Sequence, residues 1–357
     1  MIPVTKPFMP PIEDYRKYLE GIWEREHLTN NGPLVRELER KLKEYLGIEN
    51  LLYLSNGTIA LQIAIKALEL KGEIITTPFS YVATTSSIVW EGCEPVFVDI
   101  DRDTFNIDST KIKDAITSKT SAILATHVFG NPCDIETIEK IAEEYNLKVI
   151  YDAAHCFGTT YKGKSVFEYG DISTTSFHAT KLFHTIEGGA VFAKDPEVFA
   201  KLSYMRNFGH NGPEAFHGIG INAKNSEFHA AIGLCNLSYI EDILSSRKKQ
   251  CENYDRLLEN APLKFISIDK NADWNYAYYP VVFDSEDTML RVKSVLEKNQ
   301  IFPRRYFFPS LDSLNYVMSK KMTASHQISS KILCLPLFQT LEPKDQELVA
   351  KIMVENL

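Results

Sequence analysis

The chain of 357 residues is long enough for two or three domains, each able to bury a proper core. Apolar residues make up 44% of it and charged residues 24%, as in ordinary soluble globular proteins. No apolar run approaches the roughly 18–20 residues of a membrane span. A formal net charge of −8 argues against nucleic acid as the main partner but leaves room for a phosphorylated ligand, because phosphate sites are built locally from backbone amides and helix N-termini. The opening Met1–Pro7 has no apolar core of the signal-peptide kind, so a cytoplasmic location is expected. Six cysteines (93, 133, 156, 235, 251 and 334) are scattered without a C-x-x-C pair. That spacing suits neither a disulfide framework nor a zinc site, and reduced, structural thiols with no metal are expected.

In chain order, Val35, Leu38, Leu42 and Leu46 fall on one stripe of a helix whose other face is charged. Short apolar runs then alternate with helical patterns. Leu51–Leu54 leads into a helix over 58–70, and Glu73–Thr76 into one near 83–90. Strands at 95–99, 122–126 and 148–152 follow, with helical segments around 110–116 and 134–145 between them. This alternation predicts βαβ units and an α/β fold with a mostly parallel central sheet and helices on both faces. Residues 172–177 and 190–193 read as further strands of that sheet. Past Ser226 one long helix is predicted from Glu227 to about Leu258. A smaller α/β unit then has strands near 265–268 and 278–283 and helices near 287–299 and 343–353. The boundary between a large unit (1–245) and a small C-terminal one (246–357) is placed inside the long helix.

Ligands of open α/β sheets bind at the carboxyl ends of the strands. Four features fall there. Ser55-Asn56-Gly57-Thr58 makes a strand-to-helix turn whose small residues let amides approach a phosphate, although an ordinary N-cap uses the same residues. Asp152 ends a strand and opens Asp152-Ala153-Ala154-His155. Its carboxylate could bind Mg²⁺, contact a ribose or hold a protonated ring nitrogen. His155 is a polar contact to the same ligand or a satisfied structural residue. Lys181 ends Ser176-Phe177-His178-Ala179-Thr180-Lys181 among small and apolar residues, where desolvation would make a lysine nucleophilic near neutral pH; a solvated loop lysine is the plain alternative. Tyr81, after the strand at 73–76, could stack on a planar ring or pack in the core. A phosphate cradle, a stacking aromatic, a carboxylate and a lysine together match the demands of pyridoxal 5′-phosphate.

The same residues carry a resemblance that covers essentially the whole chain. Leu28-Thr29-Asn30-Asn31-Gly32-Pro33, Asn56-Gly57-Thr58, Thr77–Thr84, Asp152–His155, Ser176–Lys181, Glu187-Gly188-Gly189, Gly220-Ile221-Asn222 and Leu333–Leu337 resemble the fold-type-I pyridoxal-phosphate enzymes. Within them the match is to the DegT/DnrJ/StrS sugar aminotransferases. The Asp-to-Lys spacing and Ser-Phe-x-x-x-Lys are its specific parts. By that resemblance Lys181 anchors the cofactor covalently and moves the substrate proton, Asp152 pairs with the pyridinium nitrogen, and Tyr81 covers one ring face. Gly57, Thr58 and Ser176 bind the phosphate, and Asn222 reaches the phosphate of the neighbouring subunit in a homodimer. His155 stands where family members commonly have Gln, and a contact to the ring oxygen or a stack on the ring is implied.

The resemblance implies L-glutamate as amino donor and a nucleotide-linked keto-sugar as acceptor. The expected acceptor is dTDP-4-keto-6-deoxy-D-glucose, with a GDP-linked 4-keto sugar or a 3-keto isomer as alternatives. Thr29, Asn31, His178 and Tyr306 are candidates for the sugar hydroxyls; Arg206, Arg304 and Arg305 are candidates for the glutamate carboxylates. Dehydratases of the family carry histidine in place of the lysine, and Lys181 therefore favours transamination. A non-catalytic regulator on the same fold would not need both Lys181 and Asp152. A nicotinamide-dependent oxidoreductase would need a G-x-G-x-x-G that the first strand-to-helix turn lacks.

Overall fold

The computed structural model describes residues 1–357. Its centre is a seven-stranded sheet in the spatial order Leu51–Leu54, Gly189–Ala193, Ile172–Ser176, Lys148–Asp152, Thr120–Thr126, Glu73–Thr76, Glu94–Phe97. The last five of these run parallel to one another, as expected from βα alternation. Gly189–Ala193 runs antiparallel to both strands beside it, because only a loop, not a crossover helix, separates it from Ile172–Ser176. The parallel strands are buried almost throughout and read as apolar runs, not alternations.

Helices cover both faces. The stripe foreseen at Val35, Leu38, Leu42 and Leu46 is buried along helix Pro33–Leu46, with Leu34 beside it. Two helices that the sequence reading passed over also pack here. Ile12–Arg25 buries Ile22 and follows Pro10-Pro11 with Glu13 and Asp14 in its first turn. Pro196–Met205 is capped by Asp195, which accepts the amides of Glu197 and Val198. The helix expected at 110–116 is instead two short 3₁₀ turns, Ser109–Lys111 and Lys113–Ala115.

The single helix expected from Glu227 to Leu258 is two, Glu227–Leu237 and Ile240–Leu258. Ser238 back-bonds through its hydroxyl to the Leu234 carbonyl, and Tyr239 leaves helical geometry at φ −111°, ψ 8°. Its ring packs against Phe8 and its hydroxyl donates to Asp14. The second helix passes between cores. Ile240 and Ile243 pack with the large sheet, whereas Cys251, Tyr254 and Leu258 join the C-terminal core around Val281, Leu333 and Val349. We propose a boundary between the two units near residue 245, where this helix changes core. The small unit contains a three-stranded antiparallel sheet, Lys264–Phe265, Pro280–Val282 and Ile332–Cys334. The first residues of the chain, Ile2–Pro3, pair in parallel with Ile301–Phe302 of this unit, a long-range pairing with no local sequence signal. All six cysteines are free and buried. No helix is long and apolar enough to cross a membrane.

Helix Pro33–Leu46 has Gly32 at its N-cap and hence no capping side chain of its own. The buried carboxylate of Glu227 supplies the acceptors, taking the amides of Leu34 at 2.9 Å and Val35 at 3.0 Å. A side chain at position 32 would collide with it, since a Cβ there would lie 2.6 Å from Glu227 Cδ. Glu227→Ala leaves two buried amides without acceptors. It should destabilise the fold by about 2–3 kcal/mol, and Glu227→Gln by less. Urea denaturation checks this: an unchanged midpoint in the alanine variant would show that the cap is dispensable.

Candidate active site

The carboxyl ends of the parallel strands open into a cavity of about 310 Å³. It lies where such sheets place their ligands. Four of the chain's sequence features meet there: Asn56-Gly57-Thr58, Tyr81, Asp152 with His155, and Ser176 with His178 and Lys181. Tyr278, Arg304, Tyr306 and Phe307 close it from the C-terminal unit.

At one end the helix Gly57–Ala67 begins. Asn56 caps it, its side chain accepting the Ile59 amide at 2.8 Å while its carbonyl takes that of Ala60. This leaves the first amides, at Gly57 and Thr58 on the cavity wall, free for an anion, with the helix dipole in support. A Cβ on residue 57 would come within 2.9 Å of the Ser176 Cβ, so glycine is what lets the Ser176 hydroxyl sit against this turn. The arrangement is a phosphate-sized polar cradle.

Asp152, the last residue of its strand, lies deeper and is buried. Its Oδ2 accepts the Thr84 hydroxyl at 2.7 Å and its Oδ1 the Ala154 amide at 3.2 Å. Burial raises its pKa from the ordinary carboxylate value, and these two hydrogen bonds and the Lys181 charge oppose that rise. Lys181 is partly buried on the loop after Ile172–Ser176, its amide bonded to the His178 carbonyl at 2.8 Å. Desolvation lowers its pKa from the usual lysine value, while the negative charge of Asp152 works in the other direction. Desolvation thus moves acid and amine toward their neutral forms, and the attraction between them offsets that shift only in part.

His155 is buried in a stack of parallel rings, with Phe307 at 5.6 Å and Phe129 at 6.2 Å between centroids. Its Nδ1 accepts the Phe129 amide at 3.2 Å. Burial, and secondarily the Lys181 charge, push its pKa well below the ordinary value. The ring is thus neutral, with its proton on Nε2 as a donor. Tyr81 lines the cavity and is 61% exposed as a residue, so it is no core residue. His178 receives the Thr180 amide on Nδ1 at 3.2 Å and turns Nε2 toward Glu187, 3.6 Å away.

Not every residue singled out from sequence reaches this cavity. Thr29, Asn31 and Asn222 do not line it. The first two belong to the turn that docks through Leu34 and Val35 onto Glu227, and Asn222 is exposed on a segment bridged to Asn207. The three arginines separate cleanly. Arg206 is buried against Glu39 and the Tyr53 carbonyl. Arg305 pairs with Glu286, donates to the Ser330 carbonyl and lies over the Phe308 ring. Arg304 alone lines the cavity, held by reciprocal backbone bonds to Cys334 and without a carboxylate partner. Sequence reasoning missed the hydroxyls of Ser80, Thr84 and Thr126 beside Asp152, and Tyr278 and Phe307. Thr126, Tyr278 and Phe307 fall in no motif, and within Thr77–Thr84 nothing local singles out the hydroxyls of Ser80 and Thr84.

These groups fit pyridoxal 5′-phosphate: an anion cradle, a buried carboxylate for a ring nitrogen, and an amine of lowered pKa. The profile of the DegT/DnrJ/EryC1/StrS aminotransferase family matches residues 12–354. A dTDP-4-amino-4,6-dideoxy-D-glucose transaminase from Shigella dysenteriae is 42% identical over 359 residues, covering 99% of this chain and 98% of that one. A GDP-perosamine synthase from Vibrio cholerae is 30% identical over 87% of this chain and 86% of its own. The crystal structure of DesI in the presence of its TDP-sugar product superposes with a TM-score of 0.93 at 30% identity, over 99% of this chain and 92% of that one. The chain belongs to the DegT/DnrJ/EryC1/StrS family and is a pyridoxal-phosphate-dependent sugar aminotransferase.

Proposed function

We propose that the enzyme moves an amino group from L-glutamate to C4 of dTDP-4-keto-6-deoxy-D-glucose, giving dTDP-4-amino-4,6-dideoxy-D-glucose for surface polysaccharide. The observation that carries this reading is Lys181 and Asp152 in one cavity opposite the helix start at Gly57-Thr58, in a chain 42% identical to a transaminase named for that product. The lower identity to the GDP-perosamine synthase favours dTDP over GDP as the nucleotide.

The bound cofactor supplies an electron sink for the carbon that bears the amino group. Gly57, Thr58 and Ser176 hold its phosphate through amides and a hydroxyl. Asp152 accepts the proton-bearing ring nitrogen, and His155 donates from Nε2 to the ring oxygen. Tyr81 would cover one face of the ring from the cavity wall. Lys181 is the covalent anchor, and its Nζ takes and returns the proton at the reacting carbon. The lowered pKa of Lys181 supports that part, because desolvation makes its amine a readier proton donor than an ordinary lysine.

His178 and Tyr306 orient the hexose hydroxyls from the cavity rim. Thr29, Asn31 and Asn222 act across a homodimer, reaching a neighbouring subunit's site, with Asn222 on its phosphate. Arg304 holds a glutamate carboxylate, since its guanidinium alone among the three candidates lacks an anionic partner. Glutamine there should raise KM for glutamate by about ten-fold or more, the scale of a lost charge-assisted hydrogen bond, and leave KM for the sugar nearly unchanged. Steady-state kinetics with each substrate varied separate these; a rise in the sugar KM alone would move Arg304 to the acceptor.

A coupled assay with glutamate and a panel of nucleotide keto-sugars, the product identified by NMR, tests the acceptor. The dTDP-linked 4-keto-6-deoxy sugar should be aminated at C4 with the highest kcat/KM. Amination of only a 3-keto sugar, or a preference of about ten-fold or more for a GDP sugar, contradicts the acceptor and leaves the aminotransferase standing.

A further inference from the structure

Beside Asp152 three buried hydroxyls form a line, of which Ser80 and Thr126 also border the cavity and Thr84 does not. Thr126 donates from Oγ1 to Ser80 Oγ at 3.1 Å, Ser80 Oγ and Thr84 Oγ1 are 2.7 Å apart, and Thr84 donates to Asp152 Oδ2 at 2.7 Å. The residues come from three places. Thr126 ends one parallel strand, Ser80 lies in the loop after another, and Thr84 sits in the first turn of helix Val82–Trp90. All three are essentially inaccessible to water.

The geometry fixes the direction of every proton in the line. A carboxylate only accepts, so the Thr84 proton points at Asp152. Thr84 can then only accept from Ser80, whose one proton is spent there, and Ser80 in turn accepts from Thr126. Each hydroxyl polarises the next toward the carboxylate, as in any one-way chain of hydrogen bonds at low dielectric. Burial by itself does not generate this order. Thr85 and Ser87, one and three residues along the same helix, are equally buried, and their hydroxyls have no partner.

We propose that Thr84, backed by Ser80 and Thr126, is a positioning residue that fixes the Asp152 carboxylate as an oriented acceptor for the cofactor's ring nitrogen. Oδ2 is pulled back by Thr84 and Oδ1 is tied by the Ala154 amide, so the carboxylate plane cannot rotate. The charged group facing Asp152 from the cavity is Lys181, and His155 is neutral. The hydroxyl line therefore contributes what a fixed cation would contribute elsewhere, without competing with the ring nitrogen for charge. The proposal rests on the role assigned to Asp152 above, and the controls below keep the two apart.

Thr84→Val keeps the shape of the side chain and removes the donor, while Thr84→Ser keeps the donor. The test measures the pyridoxal-phosphate dissociation constant by titration of the apoprotein, the ¹⁵N signal of labelled cofactor in the holoenzyme, and kcat. Thr84→Val should weaken cofactor binding about ten-fold, shift the ring-nitrogen signal toward the neutral-pyridine value and lower kcat by a similar factor. Thr84→Ser should recover all three to within about two-fold of wild type. Ser80→Ala, which shortens the line without touching Asp152, should move each in the same direction by less. Wild-type affinity and ring signal in Thr84→Val overturn the proposal, as does failure of Thr84→Ser to rescue, because the donor is present in that variant. Should Thr84→Val not fold, as read by circular dichroism, Ser80→Ala decides by the same criteria. Asp152→Asn must shift the ring signal further than any of these. An unchanged signal there overturns the role of Asp152 itself, whereas an altered signal in Asp152→Asn beside an unaltered one in Thr84→Val overturns only the hydroxyl line.

Discussion

A carboxylate buried at the end of a central β-strand, with no cation bonded directly to it, is the constraint around which this molecule is organised. Unpaired, such a group would take up a proton, because the desolvation cost of an isolated buried charge is several kcal/mol. Asp152 is instead met by a hydroxyl, a backbone amide and the more distant charge of Lys181. Each of these satisfies the anion only in part. The remaining acceptor capacity faces the cavity, which is where a protonated ring nitrogen would complete it. The same economy governs Lys181, whose amine loses hydration and gains chiefly the field of Asp152.

The fold makes this arrangement available by a simple geometric device. Parallel strands deliver their carboxyl ends to one edge, so residues distant in sequence become neighbours there without further adjustment: Asn56, Ser80, Thr126, Asp152 and Ser176 all follow or end such strands. Register does the rest. Thr126 and Asp152 are paired across adjacent strands, which sets the carboxylate beside the hydroxyl line, and Asp152 is paired in turn with Thr174, two residues before Ser176. The C-terminal unit supplies a lid of different character. Tyr278, Arg304, Tyr306 and Phe307 bring aromatic surface and one positive charge over an otherwise small-residue floor.

Much of this was legible in the sequence where a local pattern coincides with a physical demand. The strand-to-helix turn at Asn56-Gly57-Thr58 combines a capping residue with a glycine that the Ser176 contact requires, and both signals are local. The stripe of Val35, Leu38, Leu42 and Leu46 has helical period and was buried as expected. What escaped was set by tertiary contact. The break at Tyr239 depends on partners in residues 8 and 14, and nothing in the run from Glu227 to Leu258 announces it. The N-terminal strand owes its existence to Ile301–Phe302, and the cap of helix Pro33–Leu46 to Glu227. Two omissions were avoidable: Pro11 followed by an acidic turn, and Asp195-Pro196, are both helix-start signals. Among the arginines, sequence offered three equivalents, and only side-chain pairing separated Arg304 from the other two.

The proposed chemistry depends on one atom, the Nζ of Lys181, as the covalent anchor. Reduction of the cofactor-loaded enzyme with borohydride fixes the linkage permanently, and proteolysis followed by mass spectrometry locates the modified side chain. The pyridoxyl mass should fall on Lys181, with Lys181→Ala carrying no stoichiometric adduct. A stoichiometric adduct on another lysine, or none on a loaded and active wild-type enzyme, contradicts the account.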